Sequence, residues 1–490
     1  MLSEILLGIT LIIFVVYLWV KKRFRYWSDL GFLQGDPSFP MGTLSGVGTK
    51  MTNAEKLNVY YREFKGKASF VGLYNFLSPI ILAIDPEFVK NILVRDFQSF
   101  HDRGMYYNKE DDPLGVSTLT LNGQEWKERR VKLTPIFTSG KIKMMFDIVD
   151  IISNKLARIL EDEMAKSNDL EMRSWLQKFT IDNIGNVAFG IEPNCLEDET
   201  TEFTFYCRKM INGSFLEAIK FLFSVEWPDL ARKLHLTFIN KEVGDFFLKT
   251  FIQTLDDREA SQIDRNDFVK LLLGLKNTYT KDQLAAEAFL VFAGGFETSS
   301  TLMTFALYEL ALHPDIQDRL REEILSGFED NDGKLTYEML VGFKYLDMVV
   351  NEALRKYPPI PIPMRKCRTT YQIPGSELVI PEGTIVQVNL LSLHYDPEYF
   401  PEPENFDPER FNEENVKNIK PYTHLPFGEG PRNCLGMRFG LMQSKIGIVK
   451  IIKSFKVSPC EKTSIPVKLK PASPFLAPND GMWLNLTKIE

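Results

Sequence analysis

Sixteen consecutive positions, 5–20, carry no charge, and the run closes on Lys21, Lys22, Arg23 and Arg25. As a helix at 1.5 Å per residue the run spans roughly 24 Å, and residues 1–3 extend it toward the roughly 27 Å core of a thin endoplasmic-reticulum bilayer. A cleaved leader would open on basic residues and exit through small ones. Here Glu4 precedes the run and Tyr17-Leu18-Trp19-Val20 ends it. The pattern predicts an uncleaved membrane anchor over residues 1–25, with the basic cluster and all that follows on the cytosolic side.

Beyond the anchor the periodicity changes several times. Residues 26–50 contain Pro37 and Pro40 with little periodicity and read as a linker or hinge. Residues 69–74 and 79–84 are β-branched and aromatic runs around a short turn, a hairpin signal. From Pro86 to about Tyr357 apolar residues recur with helical spacing. Strand-like runs follow at 371–373, 378–380 and 384–389, then a Pro-rich meander over 396–411. No repeat and no second composition regime interrupts residues 51–490. They are predicted to form one large, mainly α domain with small β-sheets.

One helix stands apart. Thr280-Lys281-Asp282-Gln283 is a capping-box sequence, and no proline follows until Pro314, which predicts about 32 helical residues, or roughly 48 Å. Gly294 and Gly295 sit at its middle, where each costs about 1 kcal/mol against alanine. Something must compensate for that weakness.

The composition is that of a globular chain: of 490 residues, 44% are hydrophobic and 25% charged, which excludes disorder and miniprotein scaffolds. A net charge of −7 argues against nucleic-acid binding. Thirty-seven phenylalanines suit a large core and an apolar ligand cavity. Five cysteines with no CxxC pair argue against a disulfide framework or a zinc site. The five histidines show no i, i+4 pairing, so a histidine metal site is not expected. Neither GxGxxG after a strand nor GxxxxGK occurs, so no dinucleotide- or phosphate-binding loop is expected.

The most informative stretch is Phe427-Gly428-Glu429-Gly430-Pro431-Arg432-Asn433-Cys434-Leu435-Gly436. It sets one cysteine in a Gly- and Pro-rich loop directly before a helical run at 437–455, suited to holding a sulfur rigidly against something flat. Unpaired amides at that helix start favour thiolate over thiol. Taken alone, a cysteine beside a glycine turn is usually a buried free thiol. The spacing Phe-x-x-Gly-x-Arg-x-Cys-x-Gly changes that reading, since Phe427, Gly430, Arg432, Cys434 and Gly436 match every fixed position.

Here the chain resembles the cytochrome P-450 superfamily, the haem-thiolate monooxygenases. The resemblance implies haem b (iron protoporphyrin IX), Cys434 as its axial cysteinate and Phe427 as a shield for the sulfur. Four further stretches carry it. Gly294-Gly295-Phe296-Glu297-Thr298-Ser299 fits the family's distal helix, where Thr298 can bond back to the Gly294 carbonyl. Glu297 and Thr298 would then be an acid–alcohol pair delivering protons, with Ala293 against the cofactor. Glu352-Ala353-Leu354-Arg355 and Arg410, within Phe406-Asp407-Pro408-Glu409-Arg410-Phe411, match the buried structural triad. Trp126 and Arg130 match the family's WxxxR motif, and with Arg103, Arg365 and Arg432 they would partner the haem propionates. The stretch 126–146, with Phe100-His101-Asp102-Arg103-Gly104 and 439–445, resembles the clan of insect detoxifying and vertebrate drug-metabolising microsomal members. The post-anchor run Gly35-Asp36-Pro37-Ser38-Phe39-Pro40 is a thinner version of the hinge found there.

The resemblance implies a membrane-anchored monooxygenase of the endoplasmic reticulum. It would insert one oxygen atom from O2 into hydrophobic xenobiotics, toxins, hormones or lipids. Electrons would come from NADPH–cytochrome reductase, with or without cytochrome b5, docking at Lys127, Arg129, Lys132, Lys141 and Lys143. Residues 103–122, 203–223, 289–298, 359–363 and 473–477 would line the pocket, with Phe292, Ala293, Phe296, Ile360, Ile362 and Phe475 making it apolar. Two rivals stay open at this point: a haem-thiolate isomerase or dehydratase, against which the Glu297-Thr298 pair weighs, and a haem sensor or carrier.

Overall fold

The computed structural model describes residues 2–211, 215–261, 265 and 267–489. The helices include α1 (Leu2–Arg23), α2 (Gly123–Leu133), α3 (Phe146–Met164), α4 (Met172–Ile184), α5 (Lys281–Leu312), α6 (Lys344–Lys356) and α7 (Met437–Ser454). Nine strands are present among the described residues: β1 (Phe70–Asn75), β2 (Ser78–Ala83), β3 (Asp169–Glu171), β4 (Met364–Lys366), β5 (Tyr371–Gln372), β6 (Val379–Ile380), β7 (Ile385–Val388), β8 (Phe455–Pro459) and β9 (Trp483–Lys488). They form sheets of order β1-β2-β7-β4, β3-β9-β8 and β5-β6. The expected hairpin is β1–β2, antiparallel from Phe70 opposite Ala83 to Asn75 opposite Ser78. β7 joins β2 in parallel, bringing the chain's last third onto its first. The molecule is mainly helical with small sheets.

The long helix begins and ends where its caps and prolines require. Thr280 and Gln283 make the reciprocal capping box, and the 32 residues of α5 stop before Pro314. Most of its circumference is buried, as expected of a helix running through the core rather than over it. A large apolar cluster surrounds α5, α3, α4 and α7, and a second one fills the space around β1, β2 and β7.

α1 is apolar and exposed, with a mean hydropathy of 2.3 over its best 18 residues and only 6% of that window buried. At 22 residues it is about 33 Å long, enough to cross a membrane. Its last turn is fastened to the domain: Arg23 Nε donates to the Leu77 carbonyl at 2.9 Å, and Phe24 meets Tyr74 edge-on at 5.3 Å.

Residues 26–50, read as a linker, instead pack along β1. Trp27 is fully buried and donates Nε1–H to the Leu73 carbonyl at 3.0 Å. Gly72 N donates to Leu33 O, Gly35 N to Gly72 O and Thr43 N to Tyr74 O. The physical reason is the sheet edge: β1 has a partner on one side only, and this segment satisfies the backbone groups of the other. Isolated bridges do not show in hydrophobic periodicity, so the sequence gives no sign of them.

Candidate active site

Two glycines at the middle of α5 have different jobs. A Cβ on Gly295 would lie 2.9 Å from the end of the Ile184 side chain of α4, which would have to shift, so glycine lets the two helices pack closely there. A Cβ on Gly294 would meet nothing within 4 Å, and this residue is exposed although α5 is otherwise mostly buried. The helix opens onto a void at Gly294. Thr298 Oγ1 donates to the Gly294 carbonyl at 2.6 Å, as the sequence predicts. The compensation for the weak turn comes from α7. Gln443 Nε2 donates to the Gly295 carbonyl at 2.7 Å and lies 2.6 Å from Ser299 Oγ.

Glu297 is turned elsewhere. It is buried, and its carboxylate accepts from Arg173 Nη2 at 2.5 Å and Gln177 Nε2 at 2.8 Å, both on α4. Thr298 is therefore at the opening while the neighbouring acid is engaged in a helix–helix ion pair. Adjacent residues on an α-helix point about 100° apart, which is why Glu297 and Thr298 do not share a face.

The cysteine loop is held by its own backbone. Cys434 N donates to Phe427 O at 2.8 Å, and Asn433 N to Gly430 O at 3.0 Å. Gly430 has φ +73°, and a Cβ there would strike the Leu93 carbonyl oxygen at 2.1 Å, so no other residue fits. Cys434 is exposed, whereas Cys195, Cys207 and Cys367 are buried. Burial of the surrounding site pushes its thiol up, and the Gly436 amide with Arg103 and Arg130 pull it back only in part. A bound cation would favour the thiolate.

Arg103 and Arg130 act on this sulfur, and Arg432, Arg365 and Trp126 join them in one cluster. Arg103 donates Nη2 to the Arg432 carbonyl at 2.9 Å and Nη1 to Leu119 O at 3.2 Å. Arg432 donates to the carbonyls of His101, Thr118 and Leu121, and its guanidinium lies 4.0 Å from the Trp126 ring centroid. Arg130 Nη2 donates to Asn433 Oδ1 at 2.8 Å. Arg365 donates Nη1 to Met364 O, but its Nε is buried without a partner.

Burial and then Arg103 lower Arg365 to about 9. Burial and then Arg130 lower Arg103 to about 10. Arg432 falls to about 8, through burial first and then Arg103. Asp102 is a carboxylate acting on Arg432, at 3.7 Å from Nη2, and it also pairs with Arg368. Such a cluster is short of negative charge. An exposed sulfur, an opened distal helix and surplus buried cations with an orphaned Nε fit a porphyrin that brings a metal and two carboxylates.

The supporting triad is assembled as expected. Arg355 holds Glu352 in a two-pronged pair at 2.7 and 2.8 Å, both side chains fully buried, and Arg410 Nε stands 3.4 Å from Glu352. Among the described residues no group of three or more His, Cys, Asp or Glu side chains is placed to hold a metal ion.

A match to the cytochrome P450 family model spans residues 36–485.

The chain belongs to the cytochrome P450 family.

It is similar to "Probable cytochrome P450 6a13" of Drosophila melanogaster, 40% identical over 481 residues covering 97% of each chain. It is also 40% identical to "Cytochrome P450 6A1" of Musca domestica, covering 96% of this chain and 95% of that one. "Cytochrome P450 6k1" of Blattella germanica is 39% identical, covering 99% and 97%. This P450 is a haem-thiolate monooxygenase, binding haem b through a cysteine thiolate and using O2, a substrate and a redox-partner reductase. The isomerase and carrier readings find no support.

Some residues of the sequence reading lie differently in this P450. Phe292 and Phe296 are buried, and Phe292 sits in an aromatic cluster with Phe189, Phe203 and Phe247 at 4.9–5.7 Å. They are core rather than open wall, while Ala293 and Gly294 between them are the accessible positions. Ile360 is half exposed. Within 203–223, residues 212–214 lie outside the described residues, as do the side chains of 215, 216, 218, 219, 221 and 222. Arg129 leaves the expected partner surface altogether: it is buried against Glu287 at 3.2 Å.

Sequence reading did not single out Gln443, Arg173 or Glu287. Glu287 had a signal, being the one charge within the apolar stretch 284–292.

Proposed function

We propose that this cytochrome P450 is a microsomal monooxygenase of the endoplasmic-reticulum membrane, oxidising hydrophobic substrates with electrons from NADPH–cytochrome reductase. Cys434 would supply the thiolate ligand, and Phe427 would shield its sulfur. Arg103, Arg130, Arg365 and Arg432, with Trp126, would hold the haem carboxylates, and Ala293 would lie against the haem. When bound, haem supplies the oxygen-activating chemistry, and the thiolate favours O–O cleavage. Thr298 holds and passes a proton at its hydroxyl, on the side of the helix that opens at Gly294. Glu297 enters that path only by leaving Arg173. One observation supports the reading: Arg103 and Arg130 act on the exposed sulfur of Cys434, and Arg432 and Arg365 join Arg103 in a buried cationic cluster with Asp102 as a nearby counter-charge.

α1 is the anchor of the catalytic domain over residues 51–490, which faces the cytosol. Lys127 and Lys132 on the exposed side of α2 offer the reductase a basic surface, raising association rate more than affinity. Xenobiotic detoxification fits an apolar site of this kind, as do hormones and lipids as substrates.

The test uses the full-length protein with reductase in membranes, NADPH and isotope-labelled O2. Label in the oxidised product and a red-shifted Soret band of the reduced carbonyl complex are expected, and Cys434→Ala should abolish both. A band that survives in Cys434→Ala would refute the ligand assignment.

A further inference from the structure

Glu287 stands on α5 eleven residues before Thr298, about 16 Å along the helix axis. It is buried, and all of its polar contacts reach away from its own helix. Oε1 accepts from the Thr118 amide at 2.9 Å and from Arg129 Nη1 at 3.2 Å, and Oε2 accepts from Thr118 Oγ1 at 2.8 Å. Arg129 also donates Nη1 to the Val116 carbonyl at 2.9 Å and faces the Tyr279 ring at 5.5 Å.

The other side of Thr118 belongs to the haem edge. Its carbonyl accepts from Arg432 Nη1 at 3.1 Å and from Arg103 Nη1 at 3.4 Å. Thr118 is therefore gripped from two directions, its N–H and hydroxyl by the distal helix and its carbonyl by the arginines beside Cys434. The segment around it has no regular structure beyond a short turn, and the same arginines also hold its Val116, Leu119 and Leu121 carbonyls.

A buried ion pair is rarely worth more to stability than an apolar pair of the same volume. Its use here must lie in placing what it holds. We propose that Glu287 is a positioning residue for substrate binding, holding the 116–121 segment through Thr118 as the wall between the distal helix and the haem edge. This rests on the haem site proposed above. Ligands large enough to reach the wall would sense Glu287, and ligands that reach only the iron would not.

The test compares imidazole with 4-phenylimidazole by spectral titration of the full-length haem protein, in Glu287→Gln, in Thr118→Val and in the double variant Glu287→Leu with Arg129→Met. The double variant removes the pair as a unit, so that no unpaired charge is left buried to unfold the protein. The expected result in the double variant is an unchanged reduced-carbonyl band, imidazole binding within about twofold of wild type, and 4-phenylimidazole binding weakened about tenfold, the scale of one lost charge-assisted hydrogen bond. Glu287→Gln and Thr118→Val should shift in the same direction by less. Equal shifts for both probes, or none for either, would overturn the proposal, as would loss of the carbonyl band in all three variants. Failure of the underlying haem assignment would look different, since the wild-type protein itself would then show no spectral response to imidazole.

Discussion

Arg173 and Glu297 meet at 2.5 Å across the contact between α4 and α5, with Gln177 completing the acceptor set of the carboxylate. The acid is 2% exposed and Arg173 17%, so the pair lies at the margin of the core. Its position separates two neighbours that the sequence joins as one functional pair. Glu297 ties the distal helix to its packing partner, and Thr298 presents the hydroxyl to the opening.

Thr298→Ala removes that hydroxyl and keeps a good helix former, so haem content should persist with stability within about 1 kcal/mol of wild type. NADPH oxidation should continue while product per NADPH falls and hydrogen peroxide per NADPH rises. Unchanged product yield at equal haem content would take Thr298 out of the mechanism.

Glu352→Gln leaves Arg355 and Arg410 without their carboxylate, while the amide oxygen can still accept from Asp407 N. Breaking a buried pair in this way should cost about 3–5 kcal/mol. The expected outcome is a low yield of haem-containing protein and a lowered unfolding midpoint. A variant with the wild-type midpoint would show that the triad does not carry the haem-side core.

His424 gives the folded protein a defined pH dependence. Burial first, and the Arg355 guanidinium next, lower it from 6.5 to about 4, and His394 beside it is also held far below its usual range. The unfolded chain takes up this proton below pH 6.5, the folded one only near pH 4. The stabilising contribution is therefore whole above pH 6.5 and is lost as pH falls toward 4. His424→Gln should flatten this part of the stability curve. The buried acids Asp112, Asp182 and Glu287, raised chiefly by burial, titrate in both proteins and cancel in the difference. Parallel curves for the two proteins between pH 4 and 6.5 would refute the assignment.

Deleting residues 2–19 should release the protein from membranes and leave haem incorporation intact. Deleting residues 2–30 should not be tolerated, because it removes Trp27, which fills the core beside β1 and donates to Leu73. Membrane partition and haem content of the two truncations check both statements. A stable, haem-loaded 2–30 deletion would show that the packing of residues 26–50 on the sheet is dispensable.

Local pattern settles what depends on neighbours along the chain. The capping box of Thr280 and Gln283, the hairpin at β1–β2, the apolar run of α1 and the back-bond from Thr298 to Gly294 all follow from residues four or fewer positions apart, or from unbroken runs. The spacing within 427–436 likewise fixes the cysteine loop, because its turns are local. Contacts between distant segments obey no such rule. Glu297 reaches Arg173 over 124 positions, Thr118 reaches Glu287 over 169, and Gln443 reaches Gly295 over 148. In each case the sequence supplies a polar residue in a buried stretch. Only the packing of helices and loops decides which polar partner satisfies it, because an unsatisfied buried group is costly and the partner can lie anywhere along the chain. The linker that became a strand cover, the arginine that left the surface and the acid that left the active turn are all of this kind.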